Sequence, residues 1–368
     1  MMERISGILA LVFSAAVVLS CGRTTVTDAD ILPYVSETVS DTSSMANSVV
    51  RHYDPYDRNG TIAVMGPEED TRRLTEFLME CDMFDNVDGK HLKDSLPDFA
   101  GEVFHAWYDI ADTSYAAFFE EGNDDMMREV TARNAVIAAA AECYQNTFSH
   151  SPSVPKVPSK IIVFSSPYAE AGREDADSLF SYMGKEIRIV SPVRAVAESL
   201  LEARPASRVG IWADSDVLAS GVYAKVFRDL NCAVDYVGFS PDGYATAEEG
   251  FFRYLDMYIA TGEITPLSAV VIDDLSLSSY AGYISVVARR VKSSSEDEYA
   301  VYRAVLADDF AVFDAVSSLA ASCYRMMREH NLFSHRILYP RMEEYMILPA
   351  SDGDTGVKYV EYNHIYVH

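Results

Sequence analysis

The stretch "RVGIWADSDVLASGVYAKVF", residues 208–227, decides the fold class of this chain. An apolar run leads into Asp214 and Ser215, and Ser220 and Gly221 follow early in a predicted helix. A short apolar strand that ends in polar residues and passes into a helix is one βα unit of a parallel sheet. Because ligands bind at the carboxyl ends of such strands, Asp214 and Ser215 are candidate ligand-binding residues.

The same alternation of strand and helix extends along the middle of the chain. Strands are predicted at 61–65, 160–164, 186–190, 208–212, 233–238 and 269–272. Residues 296–330 are predicted to be helical throughout, with Phe310, Phe313, Val316 and Leu319 on one buried face. The C-terminal tail is predicted to form a hairpin around an Asp-Gly turn.

These patterns predict an α/β protein with two lobes, in which parallel sheets are flanked by helices and a C-terminal β-hairpin is appended. The predicted segments are a signal peptide at 1–20, a lipidated tether at 21–60, a first lobe at 61–185, a second lobe at 186–295, and a helical return segment with the hairpin at 296–368. The alternative is a two-lobed solute binder like the type I periplasmic binding proteins.

The first residues of the chain predict its compartment. Arg4 precedes an apolar run of about a dozen residues, which suits a signal peptide and is short for a spanning helix. The sequence Val18-Leu19-Ser20-Cys21 resembles the cleavage box of bacterial lipoproteins, in which the cysteine is acylated. Cys21 is therefore predicted to carry lipid that anchors the protein to a membrane of the bacterial cell envelope, on its periplasmic or surface face.

The charge and the motif content exclude several classes of function. The formal net charge of −26 argues against a nucleic-acid partner, because phosphate contacts need clustered Lys and Arg. Walker, G-x-G-x-x-G, H-E-x-x-H and G-x-S-x-G motifs do not occur, so no cofactor and no metal site is predicted. Four of the scattered histidines are interpreted as surface residues, namely His330, His335, His364 and His368.

Four cysteines follow Cys21, and they form no C-x-x-C pair. They are Cys81, Cys143, Cys232 and Cys323. An oxidising envelope allows disulfides among them, whereas a core of this size accommodates buried free thiols equally well. The polar segment at 85–102 does not match a calcium-binding loop, and an ordered loop over the ligand cleft is a hypothesis for it.

Four βα segments together resemble the aspartate/glutamate racemase superfamily, and glutamate racemases in particular. They are "KIIVFSSPYAEAG" at 160–172, "RIVSPVRAVAESLLE" at 188–202, the opening stretch at 208–227, and "SAVVIDDLSLSSYAGYISVV" at 268–287. The resemblance implies a racemase-like cleft at the ends of these strands. It also implies a small amino acid or related carboxylate as the ligand.

The residues at the expected catalytic positions depart from the family pattern. Racemases of this family use one thiol on each face of the substrate, and here Ser165 and Asp274 occupy those two positions, with Ser276 in place of a histidine. Two-thiol racemisation is therefore excluded as the expected activity, since a serine hydroxyl is too weak a base. The resulting hypothesis is a non-catalytic cleft, and the alternative is an enzyme in which Asp274 acts as a lone base. The candidate ligand-binding residues are Ser165, Ser166, Asp214, Ser215, Asp274 and Ser276.

Overall fold

The computed structural model describes residues 31–112, 114–203, 208–231, 234–336, 338–350 and 356–362. The strands in these ranges are β1 (Thr61–Gly66), β2 (Val103–Asp109), β3 (Glu142–Cys143), β4 (Val154–Pro155), β5 (Ser159–Phe164), β6 (Ile189–Val190), β7 (Val209–Ala213), β8 (Tyr236–Phe239), β9 (Leu267–Asp273), β10 (Leu306–Asp314), β11 (Arg341–Pro349) and β12 (Val357–Glu361).

The helices in the same ranges are α1 (Pro33–Ser40), α2 (Met45–His52), α3 (Glu68–Glu80), α4 (Tyr115–Glu120), α5 (Asp124–Ala139), α6 (Arg173–Tyr182), α7 (Pro192–Ala203), α8 (Ser215–Ser220), α9 (Val222–Asp229), α10 (Ala247–Ala260), α11 (Leu275–Ser278), α12 (Ala281–Ser293), α13 (Ala300–Val305) and α14 (Ala315–Glu329). Short 3₁₀ helices occur at Pro167–Gly172 and Asp297–Tyr299.

The sheet of the first lobe has the strand order β12-β11-β2-β1-β5-β6. All of its pairings are parallel except that between β11 and β12. At its centre Val64 lies beside Ala106 on β2 and Val163 on β5. Every residue of β1 and β5 is buried, as expected for parallel strands that are covered on both faces.

The sheet of the second lobe has the order β10-β9-β7-β8, and its strands are all parallel. The ring of Trp212 on β7 stacks on that of Tyr254 on α10, with centroids 5.8 Å apart. The helix approaches β7 so closely that a Cβ at Gly210 would lie 2.3 Å from the Tyr254 hydroxyl oxygen. The predicted α/β class with two parallel, helix-covered sheets is confirmed.

The prediction of a continuous helix at 296–330 is wrong for the middle of this segment. Residues 306–314 form β10, which pairs in parallel with β9. Phe310 and Phe313 therefore lie on a strand, whereas Val316 and Leu319 are buried on α14 as predicted. The three-residue spacing of these apolar side chains is typical of a helix. Residues 306–314 nevertheless form a strand, because pairing with β9 supplies their backbone groups with hydrogen bonds.

The C-terminal hairpin forms, and it belongs to the first lobe. β11 and β12 pair in antiparallel fashion, and β11 also pairs in parallel with β2. The predicted Asp-Gly turn lies outside the described residues. β6, which falls in the 186–295 segment assigned to the second lobe, pairs with β5 in the first sheet.

The predicted tether does not extend to residue 60. Both α1 and α2 pack on the first lobe, where Val35, Val50 and Tyr53 are buried. The Tyr53 hydroxyl donates a hydrogen bond to the Ser159 carbonyl at the start of β5, at 2.9 Å. Residues from Leu32 onward thus belong to the folded protein, because their apolar side chains complete its core.

The polar segment at 85–102 is ordered by its own aspartates. Asp98 accepts hydrogen bonds from the Met83 and Phe84 amides, each at 2.9 Å. Asp82, just before the segment, accepts two more, from the amides of Asp94 and Ser95. No residue of this segment lines the cleft described below, so the hypothesis of a loop over the cleft is not supported.

A buried ion pair joins distant parts of the first lobe. Lys160 Nζ lies 2.6 Å from Glu102 Oε2, and both side chains are almost fully buried. The same ammonium also donates to the carbonyls of Arg58 at 2.9 Å and Leu332 at 2.7 Å. One side chain therefore connects β5 to three segments that are far apart in the sequence.

Candidate functional site

A cleft of about 580 Å³ is lined by residues that follow strands of both sheets. The first lobe contributes the segments after β1 and β5, and the second lobe those after β7 and β9. The structure brings all six of the predicted ligand-binding residues to this cleft, namely Ser165, Ser166, Asp214, Ser215, Asp274 and Ser276. This is the edge at which open parallel sheets bind ligands.

The hydroxyl of Ser165 links elements of the first lobe that form the cleft. Its hydroxyl donates to the Met65 carbonyl at 3.2 Å and lies 2.9 Å from the Thr71 hydroxyl on α3. Gly66, at the end of β1, has a φ of 149°, and a Cβ there would lie 2.4 Å from Ser165 Oγ. Ser165 thus fills the space that glycine leaves and links β5 to β1 and α3, a role that occupies its hydroxyl.

Asp274 caps the short helix α11. Its Oδ1 accepts hydrogen bonds from the Ser276 amide at 2.6 Å, the Ser276 hydroxyl at 2.6 Å and the Leu277 amide at 3.3 Å. A carboxylate oxygen that accepts three hydrogen bonds is already well satisfied. Asp274 Oδ1 is therefore engaged by α11 and by Ser276, whereas none of these three hydrogen bonds involves Asp274 Oδ2.

Asp214 and Ser215 are exposed to the cleft at the start of α8. Ser215 Oγ donates to Asp216 Oδ1 at 3.0 Å, whereas Asp214 makes no capping hydrogen bond with its side chain. Partial desolvation raises the pKa of Asp214, and the negative charges of Asp274 and Asp216 add to this effect. Asp214 thus presents a carboxylate to the cleft, and no basic side chain among the described residues forms a salt bridge with it.

Asp273, at the end of β9, also lines the cleft and is not among the site residues predicted from the sequence. Its Oδ2 atom is buried, and the buried hydroxyl of Tyr223 is the hydrogen-bond donor to this carboxylate. Burial raises the pKa of Asp273 from 3.8 to about 6, aided by the charges of Asp214 and Asp274 and opposed by the Tyr223 hydroxyl. The signal in the sequence was the Asp-Asp pair at a strand end.

The charged side chains that line the cleft are mostly acidic. The described lining residues include five aspartates, Asp70, Asp214, Asp216, Asp273 and Asp274, and one arginine, Arg73. Arg73 is half exposed and pairs with Glu69 at 2.7 Å. Burial raises the pKa of Asp70 in spite of Arg73, and the neighbouring carboxylates contribute. The cleft therefore has a negative potential, which opposes an anionic ligand.

Two of the helices that start at the cleft are capped by carboxylates of the protein. Asp314 caps α14 by accepting a hydrogen bond from the Ser317 amide at 2.7 Å, and Asp274 caps α11 in the same way. The first turn of α3 carries Glu68, Glu69 and Asp70. At α11 and α14, carboxylates of the protein thus already occupy positions that a carboxylate ligand would use, whereas α3 and α8 have no side-chain cap.

The described cysteines lie away from the cleft. Cys81, Cys143 and Cys323 are buried free thiols, and none of them lines it. Burial raises the pKa of Cys323 to about 12, so its reactive thiolate form is disfavoured. Cys21 and Cys232 lie outside the described residues.

Two of the four histidines predicted to lie on the surface belong to the described residues. His330 and His335 are exposed, and His364 and His368 lie outside the described residues. Within the ranges that the structure describes, no group of three His, Cys, Asp or Glu side chains has the arrangement of a metal site.

No family model and no curated protein matches this chain. It aligns with solved structures of a Bacillus anthracis glutamate racemase at 11% identity and a TM-score of 0.46, over 78% of this chain and 89% of that one. A Francisella tularensis glutamate racemase in complex with D-glutamate aligns at 14% identity and a TM-score of 0.47, over 78% and 88%. A Pyrococcus horikoshii aspartate racemase homologue aligns at 13% identity and 0.36, over 73% and 99%. These likenesses concern the fold alone.

Proposed function

We propose that this protein is a lipoprotein of the bacterial cell envelope that binds a small organic molecule in the cleft between its two sheets and does not transform it. The observation that carries the proposal is the convergence of polar residues from the strand ends of both lobes on one cleft of about 580 Å³. Clefts of this volume accommodate small ligands, and they occur at this edge of parallel sheets.

The side chains at the expected catalytic positions already have structural partners, which supports a binding role. Ser165 bonds to the Met65 carbonyl, and Asp274 Oδ1 accepts three hydrogen bonds within α11. A base needs a lone pair that points at the proton to be removed. The described thiols lie outside the cleft, so an acid and base on opposite faces of a substrate would have to come from other groups.

A second candidate function is supported by Asp273. A carboxyl group in the wall of the cleft with a pKa of about 6 is suited to general acid–base catalysis near neutral pH. If the protein is an enzyme with altered isomerase chemistry, Asp273 is a better candidate for its base than Asp274.

The binding proposal predicts ligand-induced thermal stabilisation. A set of D- and L-amino acids should contain compounds that raise the Tm of the full chain, whereas Ser215→Trp, which fills the cleft, should abolish the shift. Ser181→Trp on the exposed face of α6 is the matched control and should leave the shift intact. A shift that persists in Ser215→Trp would place the binding site elsewhere.

Proton exchange separates the two candidate functions. The bound amino acid is incubated with the protein in deuterated buffer, and the α-proton signal is followed by NMR. No exchange supports binding alone, whereas exchange that is lost in Asp273→Asn and retained in Asp274→Asn supports the enzyme.

The envelope location rests on Cys21, which the structure does not describe. No helix in the described ranges is long and apolar enough to span a membrane. We expect Cys21→Ala to move the protein from the membrane fraction to the soluble fraction and to abolish labelling by an alkyne-tagged palmitate. Ser20→Ala keeps a small residue before the cysteine and should change neither result. Unaltered fractionation of Cys21→Ala would contradict the lipoprotein assignment.

A further inference from the structure

A second cavity lies at the opposite end of the first sheet from the cleft. It has a volume of about 370 Å³, and its lining includes Thr61, the first residue of β1, and Val103, the first residue of β2. Because β1, β2, β5 and β11 are parallel, their amino ends meet at this edge, whereas the cleft lies at the carboxyl ends of the strands. The two sites share no lining residue.

The basic side chains of this cavity come from separate segments of the chain. Lys156 precedes β5, Arg336 lies between α14 and β11, and Arg341 begins β11. The acidic side chains in the lining are those of Asp57 and Glu343. The charged lining residues of this cavity are therefore basic in the majority, although the formal net charge of the whole chain is −26.

Both carboxylates of the cavity already have protein partners. Asp57 Oδ1 accepts a hydrogen bond from the Asn59 amide at 2.8 Å. Glu343 Oε2 lies 3.1 Å from His105 Nε2, and Glu343 Oε1 lies 3.3 Å from Arg341 Nη2. Among the described residues, no salt bridge joins either carboxylate to Lys156.

Lys156 is a buried cation that has no counter-ion among the described residues. It is 8% exposed, and its ammonium donates to the Ala138 carbonyl at 3.2 Å and lies 5.1 Å from the centre of the Trp107 ring. An ammonium has three donors, and buried charges are usually paired with an opposite charge. Lys160 shows that usual arrangement, because its ammonium contacts the buried carboxylate of Glu102 as well as two carbonyls.

We propose that this cavity binds a small oxyanion, a phosphate or sulfate group, with Lys156 as the buried counter-ion and the exposed Arg336 and Arg341 as further donors. These residue types suit such a group, because a guanidinium can bind two of its oxygens and an ammonium supplies a compact charge. The inference goes beyond the function proposed for the cleft, since it concerns a separate site.

Isothermal calorimetry with sodium sulfate tests the site on the detergent-solubilised full chain. Sulfate is the probe because its charge does not change near neutral pH. We expect sulfate to bind, with an affinity that falls about tenfold in Lys156→Met and several-fold in Arg341→Gln, as the loss of a charged hydrogen bond implies. Arg341 is exposed, so its replacement tests the site even if Lys156→Met does not fold.

A matched control and a contrary result complete this experiment. Arg325→Gln on α14 removes an exposed arginine that lies outside the cavity, and it should leave the sulfate affinity unchanged. Ser215→Trp, which fills the cleft, should also leave it unchanged. Equal affinities in the wild type, Lys156→Met and Arg341→Gln, or no binding to the wild type, would overturn the proposal.

The charge of Lys156 provides a readout that a purely structural role would not change. Burial lowers the pKa of Lys156 from 10.5 to about 7. The titratable groups near it ionise elsewhere, because burial lowers the pKa of His105 to about 4 and raises that of Cys143, and the hydrogen bond from His105 lowers that of Glu343. A bound anion favours the charged amine, so sulfate should raise the pKa of Lys156 and should bind more tightly at pH 6 than at pH 8.

The fluorescence of Trp107 should report this proton, since the ammonium of Lys156 lies over its ring. Trp212→Phe leaves Trp107 as the only tryptophan of the chain. In this variant the emission should change with a midpoint near pH 7, sulfate should move the midpoint upward, and Lys156→Met should abolish the transition. A midpoint that sulfate does not move would contradict the role of Lys156 as counter-ion.

Two competitors identify the source of the oxyanion. Glycerol 3-phosphate carries a phosphate group on a small soluble molecule, whereas dihexanoyl phosphatidylglycerol carries it in a lipid headgroup. Displacement of sulfate by the first alone supports a soluble ligand, and displacement by the second alone supports a lipid headgroup. If neither compound displaces sulfate, the assignment of a phosphate group is wrong.

Discussion

Replacing Lys160 with methionine should lower the free energy of unfolding by about 3–5 kcal/mol, because it leaves the buried carboxylate of Glu102 without its counter-ion. The two charged atoms lie 2.6 Å apart with both side chains almost fully buried. The substitution also removes the donor for the carbonyls of Arg58 and Leu332. Urea denaturation, followed by the fluorescence of the two tryptophans, measures the change.

A double variant tests whether the uncompensated charge is the cause. Lys160→Met combined with Glu102→Gln removes both charges and should recover part of the lost stability, since a neutral pair has a much smaller cost of burial. Lys90→Met, which removes the exposed partner of Asp88, is the control and should change stability by less than about 1 kcal/mol. Equal losses in the single and double variants would show that the packing of Lys160, rather than its charge, stabilises the lobe.

Asp273→Asn should stabilise the folded protein at pH 8 by up to about 2 kcal/mol. The folded state raises the pKa of Asp273 from 3.8 to about 6, so it binds this proton more tightly than the unfolded chain does. The favourable contribution is complete below pH 3.8 and is lost as the pH rises through 6. At pH 8 the wild type therefore contains an ionised carboxylate that burial and its neighbours Asp214, Asp274 and Asp70 disfavour, and the variant does not.

Chemical denaturation of both proteins between pH 4 and pH 8 measures this effect. The difference in stability should be small at pH 4 and should grow through pH 6, where the wild type loses its proton. Asp177→Asn, on an exposed helix face, should show no such growth. A difference that is constant across the range would mean that the substitution acts through packing and not through the charge of Asp273.

The strands of this fold that could be predicted are those whose apolar residues are continuous. β1, β5 and β7 are buried along their whole length, and their sequences contain the β-branched runs that such burial requires. β2 was not predicted, because His105 and Tyr108 interrupt its apolar character. Contacts with β11 explain these two residues, because His105 hydrogen-bonds to the side chain of Glu343 and the Tyr108 hydroxyl donates to that of Glu344.

The positions of the site could be predicted better than its chemistry. The rule that ligands bind at strand ends identified six residues that do line one cleft. The charge of the cleft could not be predicted in this way, because Asp70, Asp214 and Asp273 are far apart in the sequence and meet only in the fold. The hydrogen bonds from the α11 amides to Asp274 Oδ1 could not be predicted either, because they depend on the local backbone geometry and not on the residue types alone.

The return of β11 to the first sheet governs the order in which the chain can fold. β2 is flanked by β1 on one side, but its other neighbour, β11, lies beyond the entire second lobe in the sequence. Until residues 341–347 emerge, the backbone donors and acceptors along that side of residues 103–109 have no partner, and an open strand edge invites pairing with other chains. The strands of the second lobe all lie within residues 209–314, so its sheet can form before residues 341–347 are available. The folding chain therefore passes through a stage in which the second lobe is complete and one edge of β2 is still open, and a chaperone would protect it at that stage.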